Sequence, residues 1–168
     1  PISYSGGPAT VAFSVPPYNE KVRKLFYLGG YFSLENAITF GLSGQSSYKN
    51  AKVYQEPSAW GRWYYLISNL EYVDSYDDRD LLFRIADEKR RNPEADVSSY
   101  EKKLSVQGLT LLEMVKQSQP LKIKEFISKQ NERFKNVLFS LSPENYIESL
   151  KNVKVYLLHA SNDPLIPY

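Results

Sequence analysis

The chain of 168 residues contains no cysteine and a single histidine, His159. The lack of cysteine excludes a disulfide framework, a thiol nucleophile and a thiolate metal site. One histidine is too few for a multi-histidine metal cluster, and His159 is the one imidazole in these residues that could act as a general base. Nucleophiles in this chain are therefore limited to hydroxyls, amines and carboxylates.

Long apolar runs and a large net charge are missing as well. The longest apolar stretches, such as 155–158, have the length of a strand and fall short of the about 20 residues that a membrane-spanning helix needs. The 21 basic and 19 acidic residues leave a net charge of +2, which gives no electrostatic footprint for nucleic acid or an anionic membrane surface. Pro1 is followed by neither the basic flank nor the long apolar core of a signal peptide. We therefore expect no nucleic acid partner, no membrane span and no signal peptide in this segment.

The composition that is present is that of a globular protein. Hydrophobic residues make up 42% and charged residues 24% of the chain, and the length fits one domain or a large piece of one. The chain has 14 tyrosines against 8 phenylalanines and 2 tryptophans. This excess of tyrosine indicates amphipathic, half-buried surfaces such as the wall of a groove.

The apolar pattern divides the chain into three zones, 1–44, 45–150 and 151–168. A strand over 22–28 stops at a Gly-Gly pair, and a second strand over 152–158 precedes a polar loop. Continuous apolar strands of this kind belong to parallel sheets that are covered on both faces. Because two parallel strands do not make a stable sheet alone, we predict that the chain is part of a larger α/β domain.

The middle zone, 45–150, has the three- and four-residue apolar spacing of helices almost throughout. Asp77 or Asp78 is the predicted N-cap of the second helix, whose last turn is basic. The helices predicted here cover 60–73, 78–91, 94–104, 108–116 and 123–138.

A serine near the beginning of the chain lies among small residues and precedes a predicted helix, as in a nucleophile elbow. Such a serine is held in a strained turn between strand and helix, with small flanking residues and an amide that faces the future oxyanion. Either of two serines in the segment 1–9 could be the nucleophile of such an elbow. Ser3 would use the Tyr4 N–H as oxyanion donor, whereas Ser5 would use the Gly6 N–H and has smaller flanks. The alternative is a plain Gly-Ser turn.

A carboxylate, Asp163, follows the second predicted strand. Polar side chains just beyond the end of a buried strand lie at the carboxyl edge of the sheet, where sites in open α/β sheets are built. The serine elbow belongs to the same edge, so the two could meet although they are far apart in sequence. The alternative is an ordinary Asp-Pro turn.

Three segments taken together resemble the α/β-hydrolase superfamily, in particular its capped esterase- and lipase-like members. They read Ile-Ser-Tyr-Ser-Gly-Gly at 2–7, Leu-Gly-Gly-Tyr-Phe at 28–32 and Leu-His-Ala-Ser-Asn-Asp-Pro-Leu-Ile-Pro at 158–167. In that family the nucleophile follows the fifth strand, a helical cap is inserted after the sixth, and the acid follows the seventh. The chain would span the later half of that fold, with Pro1 and Ala160 where the family's motifs have glycine.

The resemblance implies a serine hydrolase that acts on a carboxylic ester or a related acyl compound, with no cofactor and no metal. It favours Ser3 as nucleophile, Asp163 as the acid and the Tyr4 amide in the oxyanion hole. It implies that His159 is a structural member of the acid motif and that the catalytic histidine follows an eighth strand, outside these residues. We therefore expect negligible hydrolysis from this chain alone.

The middle zone, 45–150, also fits functions other than a hydrolase cap. The dominance of helices also fits a non-catalytic helical interaction module, in which the serine and aspartate motifs are turns. We interpret the aromatic cluster at 60–65 as the packing face of a helix, with an apolar acyl-binding wall as the alternative. The acidic cluster at 74–80 is interpreted as a solvated helix N-terminus, since it lacks the pattern of a calcium loop.

Overall fold

The structure is a computed structural model that describes residues 1–48, 51–163 and 165–167, so Pro164 of the predicted acid motif lies outside the described residues. The described residues form a mixed α/β structure that is 56% helical, with eight α-helices and only small sheets. The strands are β1 Lys24–Leu28, β2 Gln45–Tyr48, β3 Ala51–Tyr54 and β4 Lys154–Leu158. The helices are α1 Gly6–Ser14, α2 Leu34–Ser43, α3 Gly61–Ser68, α4 Tyr76–Arg91, α5 Ser98–Glu101, α6 Val106–Lys116, α7 Pro120–Ser128 and α8 Glu132–Leu141.

The two ends of the chain meet in a small parallel sheet. Strand β1 pairs in parallel with β4, with Leu28 opposite Leu158 at the last position. On the other side of β1, Ile2 forms a parallel bridge with Leu28, whose N–H donates to the Pro1 carbonyl at 3.1 Å. Three segments therefore lie side by side in the order Ile2, β1 and β4. Both predicted strands are present and begin two residues later than predicted.

The prediction that both strands are buried is wrong for β4. Strand β1 alternates, with Leu25 and Tyr27 buried and the positions between them exposed. Strand β4 is exposed at all five positions, and the Leu157 side chain is 74% exposed. The strand is an edge of the sheet, and no described element packs across it. An apolar sequence favours burial, but a covering element is needed to provide it.

The main hydrophobic core lies among the helices α2 to α8, which we call the helical region. The apolar faces predicted from their spacing do point inward, because helices adjacent in sequence, such as α3 and α4, and helices distant in sequence, such as α2 and α7, pack on one another. Side chains one residue before four of these helices accept hydrogen bonds from backbone N–H groups inside the first turn. The largest fully buried apolar side chains in this core are Leu42, Leu66, Leu82, Ile85, Leu112, Met114, Ile123 and Val115.

Several helix predictions are corrected by local backbone and capping. Residues 45–48 and 51–54 form the antiparallel strand pair β2–β3, because Gly44 ends α2 with a left-handed φ of 70°. The predicted helix 123–138 is two helices, α7 and α8, since the Asn131 side chain accepts the Phe134 N–H and begins a new one. Of 94–104, only the single turn α5 is α-helical.

The acidic cluster at the start of α4 is not wholly solvated. The N-cap is Ser75, whose hydroxyl accepts the Asp78 N–H, and not Asp77 or Asp78 as predicted. Asp78 itself is 2% exposed. Its carboxylate accepts the Ser105 N–H at 2.9 Å and the Ser105 hydroxyl. A buried carboxylate is stable only when it is hydrogen-bonded in this way, so Asp78 ties α4 to the start of α6.

Candidate functional site

Ser3 lies in a sharp turn between a strand segment and a helix. Ile2 is extended and bridges to β1, the residues Ser3–Ser5 form one 3-10 turn, and α1 follows at once. Ser3 has a φ of 56°, and it is the one non-glycine residue of the described chain with a positive φ. A side chain in this left-handed region is strained, and the surrounding structure must hold it there. Its side chain is exposed.

Ser5 has a different environment from Ser3. Its backbone is right-handed helical, with a φ of −65°, and its hydroxyl donates to the Ile2 carbonyl at 2.6 Å. Tyr4 lies between them in the first turn of the 3-10 segment, where an amide has no partner within the helix. The local geometry thus distinguishes the two registers that the sequence left open, with strain at Ser3 and an engaged hydroxyl at Ser5.

The glycines after the turn allow close packing of α1 against the end of β1. A Cβ at Gly6 would lie 2.8 Å from the Tyr27 ring, and one at Gly7 would overlap the Tyr31 ring. Both rings are buried at 8% and 3% exposure. Burial is the main cause that raises the pKa of each hydroxyl to about 12. The small residues near the serine are therefore explained by two tyrosines that α1 must approach.

Asp163 follows β4 and lies beside the end of β1. Its Oδ1 accepts the N–H groups of Leu165 at 2.9 Å and Ile166 at 3.1 Å. Its Oδ2 faces Gly29, whose φ is 54° and where an added Cβ would lie 3.5 Å away. The loop amides thus orient one carboxylate oxygen and leave the other directed toward the end of β1.

His159 is packed into the same loop. Its Nε2 lies 3.1 Å from the Ile166 carbonyl and 3.7 Å from Oδ2 of Asp163. Its side chain is only 12% exposed. We call the described residues of 159–167 the acid loop. The imidazole therefore connects the beginning of this loop, at the end of β4, to Ile166.

Tyr4 connects the turn Ser3–Ser5, which we call the serine turn, to the acid loop. The sequence did not predict this contact. Its hydroxyl donates to the Leu165 carbonyl at 2.9 Å, across 161 residues of chain. Burial, and next the nearby Asp163 carboxylate, raise the pKa of the Tyr4 hydroxyl. The Tyr4 ring lies 5.9 Å from the Tyr31 ring, and the Tyr31 hydroxyl donates to the Leu141 carbonyl at the end of α8. Two tyrosines thus link the serine turn, the acid loop and the helical region.

A cavity of about 670 Å³ begins at this link, and we call it the Tyr4 cavity. Tyr4 and Leu165 line it together with residues of α2, α3 and α8. The members of the aromatic cluster at 60–65 have two different environments. Trp63 is buried in the helical core, as expected of a packing face, whereas Trp60, Tyr64 and Tyr65 line the cavity.

A second space, of about 800 Å³, lies over the exposed sheet, and we call it the β4 groove. Its walls include Leu25 and Tyr27 of β1, Val155 and Leu157 of β4, and Ile147. The groove is a consequence of the uncovered sheet described above, and Ser3 is not among its lining residues.

Metal ligands and membrane-spanning helices are two further features that bear on the function of the described residues. Within the described residues, no three His, Asp or Glu side chains are placed together as metal ligands. No helix in the described ranges has the length and apolarity needed to cross a membrane. Comparisons with protein-family models, with curated proteins and with solved structures found no match for this chain.

Proposed function

We propose that this chain carries the nucleophile and the acid of a serine hydrolase that acts on a carboxylic ester or a related acyl compound. In this proposal the chain is the later half of an α/β-hydrolase fold. Ser3 is the nucleophile, Asp163 is the acid, and the Tyr4 N–H is one donor of the oxyanion hole. The helical region is the cap that lies over them.

The observation that carries the proposal is the strained Ser3 at the edge of a parallel sheet whose other strand end holds Asp163. A positive φ at a serine between an extended segment and a helix is the conformation of a nucleophile elbow. The order Ile2, β1 and β4 brings both residues to the carboxyl edge of that sheet. The Tyr4 hydrogen bond to Leu165 adds a direct contact between the two loops.

In the proposed reaction, the Ser3 hydroxyl attacks the acyl carbon while a histidine takes its proton. The Asp163 carboxylate orients that histidine and stabilises its charged form. The Tyr4 N–H donates to the oxygen that becomes negative in the tetrahedral intermediate. The alcohol leaves with the proton from the histidine, and water then releases the acid from Ser3.

The base in this proposal is a histidine outside these 168 residues. His159 is a poor candidate, because its Nε2 faces the Ile166 carbonyl and its ring is almost buried. An eighth strand would pair with the free backbone edge of β4 and bring the histidine to the same end of the sheet, and a helix connected to it would cover the apolar side chains now exposed on β4.

The test uses a fluorophosphonate probe on the natural full-length protein that contains this segment, followed by peptide mapping. We expect the label on Ser3, and we expect Ser3→Ala to abolish both labelling and turnover of p-nitrophenyl esters. Ser5→Ala is the matched control and should retain both. Asp163→Asn should lower kcat by about 10⁴-fold. Labelling that persists in Ser3→Ala, or no labelling of the folded protein, would contradict the proposal.

The 168-residue chain alone provides a separate test of the missing base. We expect no ester turnover above background from it. If it hydrolysed p-nitrophenyl esters and lost this activity on joint replacement of Ser3 and Ser5 by alanine, the base would lie within the chain.

A helical interaction module is the second candidate, and one observation favours it. The main core belongs entirely to residues 38–138, so the helical region has its own interior. The same labelling experiment separates the two candidates, because a module whose serine motif is only a turn would not react with the probe.

A further inference from the structure

We propose that the Tyr4 cavity receives an uncharged, hydrophobic acyl group of the ester, and that Gly41 keeps the space open and so sets the length of that group. The inference rests on the proposed function, and it identifies the class of substrate that the site accepts.

The cavity adjoins the two proposed catalytic residues through their neighbours in the chain, although neither Ser3 nor Asp163 lines it. Tyr4, which lines it, is the residue directly after Ser3, and Leu165, which also lines it, is two residues after Asp163. These two residues are joined by the Tyr4 hydroxyl, so the cavity begins at the contact between the serine turn and the acid loop. Helices α2, α3 and α8 form the remaining walls.

The lining fits a neutral and apolar occupant. None of the described residues that line the cavity is charged, so a charged group would lose its hydration without gaining a partner. In the aromatic wall, Trp60 is 64% exposed, whereas the ring of Tyr64 has the Arg90 guanidinium 5.6 Å from its centroid. The Asn69 amide in the lining already donates to the Tyr65 carbonyl at 2.8 Å. A volume of about 670 Å³ is within the range of small-molecule sites, and apolar groups bind such walls by leaving water.

Gly41 has no packing reason to be glycine. It lies inside α2, where glycine is less favourable than alanine, and its φ is not in the left-handed region. An added Cβ would meet no atom within 4 Å. By contrast, Cβ atoms at Gly7 and Gly44 would overlap a ring and a backbone carbonyl. What the missing side chain of Gly41 does provide is space in the cavity that it lines.

The experiment measures kcat/KM for p-nitrophenyl esters from acetate to dodecanoate with the full-length protein. For the wild type we expect kcat/KM to rise with acyl length from acetate to octanoate, since each buried methylene adds to binding. Gly41→Leu should lower kcat/KM for octanoate by about tenfold and leave acetate within about twofold. Gly41→Ala is the matched control and should keep the profile within about twofold throughout.

A second variant tests the same inference in the opposite direction. Trp60→Ala removes part of the exposed wall and should move the preferred acyl length upward, toward dodecanoate. Because the Trp60 side chain is largely outside the core, this variant is expected to fold even if Gly41→Leu does not.

The outcomes separate this inference from the proposed function. The inference would be overturned, and the hydrolase proposal left intact, by one combination of results. In it, the probe labels Ser3, but neither Gly41→Leu nor Trp60→Ala changes how kcat/KM depends on acyl length. A preference for charged acyl groups would also overturn it. A full-length protein that is not labelled at Ser3 would reject the function and the inference with it.

Discussion

Apolar side chains are buried in the helical region but exposed on strand β4 of the parallel sheet. In the helical region Leu66, Leu82 and Ile85 are completely buried. In β4, Leu157 and Leu158 are 74% and 69% exposed. Leu82 and Ile85 belong to α4, which is rich in charged residues, whereas Leu157 and Leu158 end an apolar strand, so hydrophobic content does not explain the difference. In the helical region, the covering surfaces come both from the next helix, as for α3 and α4, and from distant helices, as for α2 and α7, whereas no described element covers β4.

The two regions also differ in how they contribute to the proposed site. The sheet supplies the chemistry, with Ser3 and Asp163 at the ends of its segments, although it is uncovered along β4. The helical region supplies a stable wall and the Tyr4 cavity. Contacts such as the Tyr31 hydroxyl on Leu141 are what place the wall relative to the reacting groups.

The largest expected effect comes from truncating the two kinds of leucine. Leu112→Ala removes a fully buried side chain and should lower the free energy of unfolding by about 2–5 kcal/mol. Leu157→Ala on β4 should change it by less than about 0.5 kcal/mol. Urea unfolding of the 168-residue chain measures both. Equal losses would show that β4 is covered in solution and would break the comparison.

A pair of glycine substitutions tests close packing at the sheet against open space in the helical region. Gly7→Ala places a Cβ into the Tyr31 ring and should destabilise the fold by about 1–3 kcal/mol. Gly41→Ala meets no neighbour and should stabilise it by about 0.5–1 kcal/mol, because alanine favours the helix. Thermal melting followed by circular dichroism compares them, and shifts of the same sign would contradict the structure.

Alkaline pH should weaken the packing of α1 on β1. The folded-state pKa of Tyr27 and of Tyr31 is raised to about 12 from 10, so the neutral hydroxyls contribute stability below pH 10. That stability is lost as pH rises from 10 through 12, by at most about 1.4 kcal/mol per pH unit for each tyrosine. Urea midpoints at pH 8, 10 and 11 measure the loss. The double variant Tyr27→Phe with Tyr31→Phe should show a shallower decline than the wild type, and an identical decline would be inconsistent with these pKa shifts.

The smallest expected effect is at the contact between the serine turn and the acid loop. Tyr4→Phe keeps the ring but removes the hydrogen bond to Leu165, at a cost of about 0.5–1.5 kcal/mol. Hydrogen exchange of the amides at 165–166 should accelerate, since these residues lose an anchor. Tyr18→Phe, at an exposed tyrosine, is the control and should change neither quantity. Unchanged exchange in Tyr4→Phe would show that the loop is held by Asp163 alone.

Much of the local structure could be predicted from the sequence, and the failures have identifiable causes. The helix spacing identified α3, α4 and α6, because amphipathic periodicity depends on residues one or two turns apart. The single helix predicted over 123–138 missed the Asn131 cap, and the predicted cap at Asp77 or Asp78 missed Ser75. Both errors come from short side-chain hydrogen bonds that compete with a continuous pattern.

The candidate site was predictable in its residues and not in its arrangement. The sequence proposed Ser3 or Ser5 with Asp163, and its two arguments disagreed, since the smaller flanking residues favoured Ser5 and the family resemblance favoured Ser3. The positive φ of Ser3 and the bond from Ser5 to the Ile2 carbonyl are properties of the folded turn. The division of the aromatic cluster between core and cavity likewise required the helices to be packed.

The sequence by itself determined the two strands of the parallel sheet, most of the long helices with their apolar faces, and the serine and aspartate candidates at the strand ends. These properties depend on side-chain spacing and on local backbone preferences. Only the tertiary structure decided that Ile2, β1 and β4 lie side by side, that Tyr4 reaches Leu165 across 161 residues, and that β4 is an exposed edge. Such contacts join distant parts of the chain, and their geometry is set by which surfaces are left to pack once the local elements have formed.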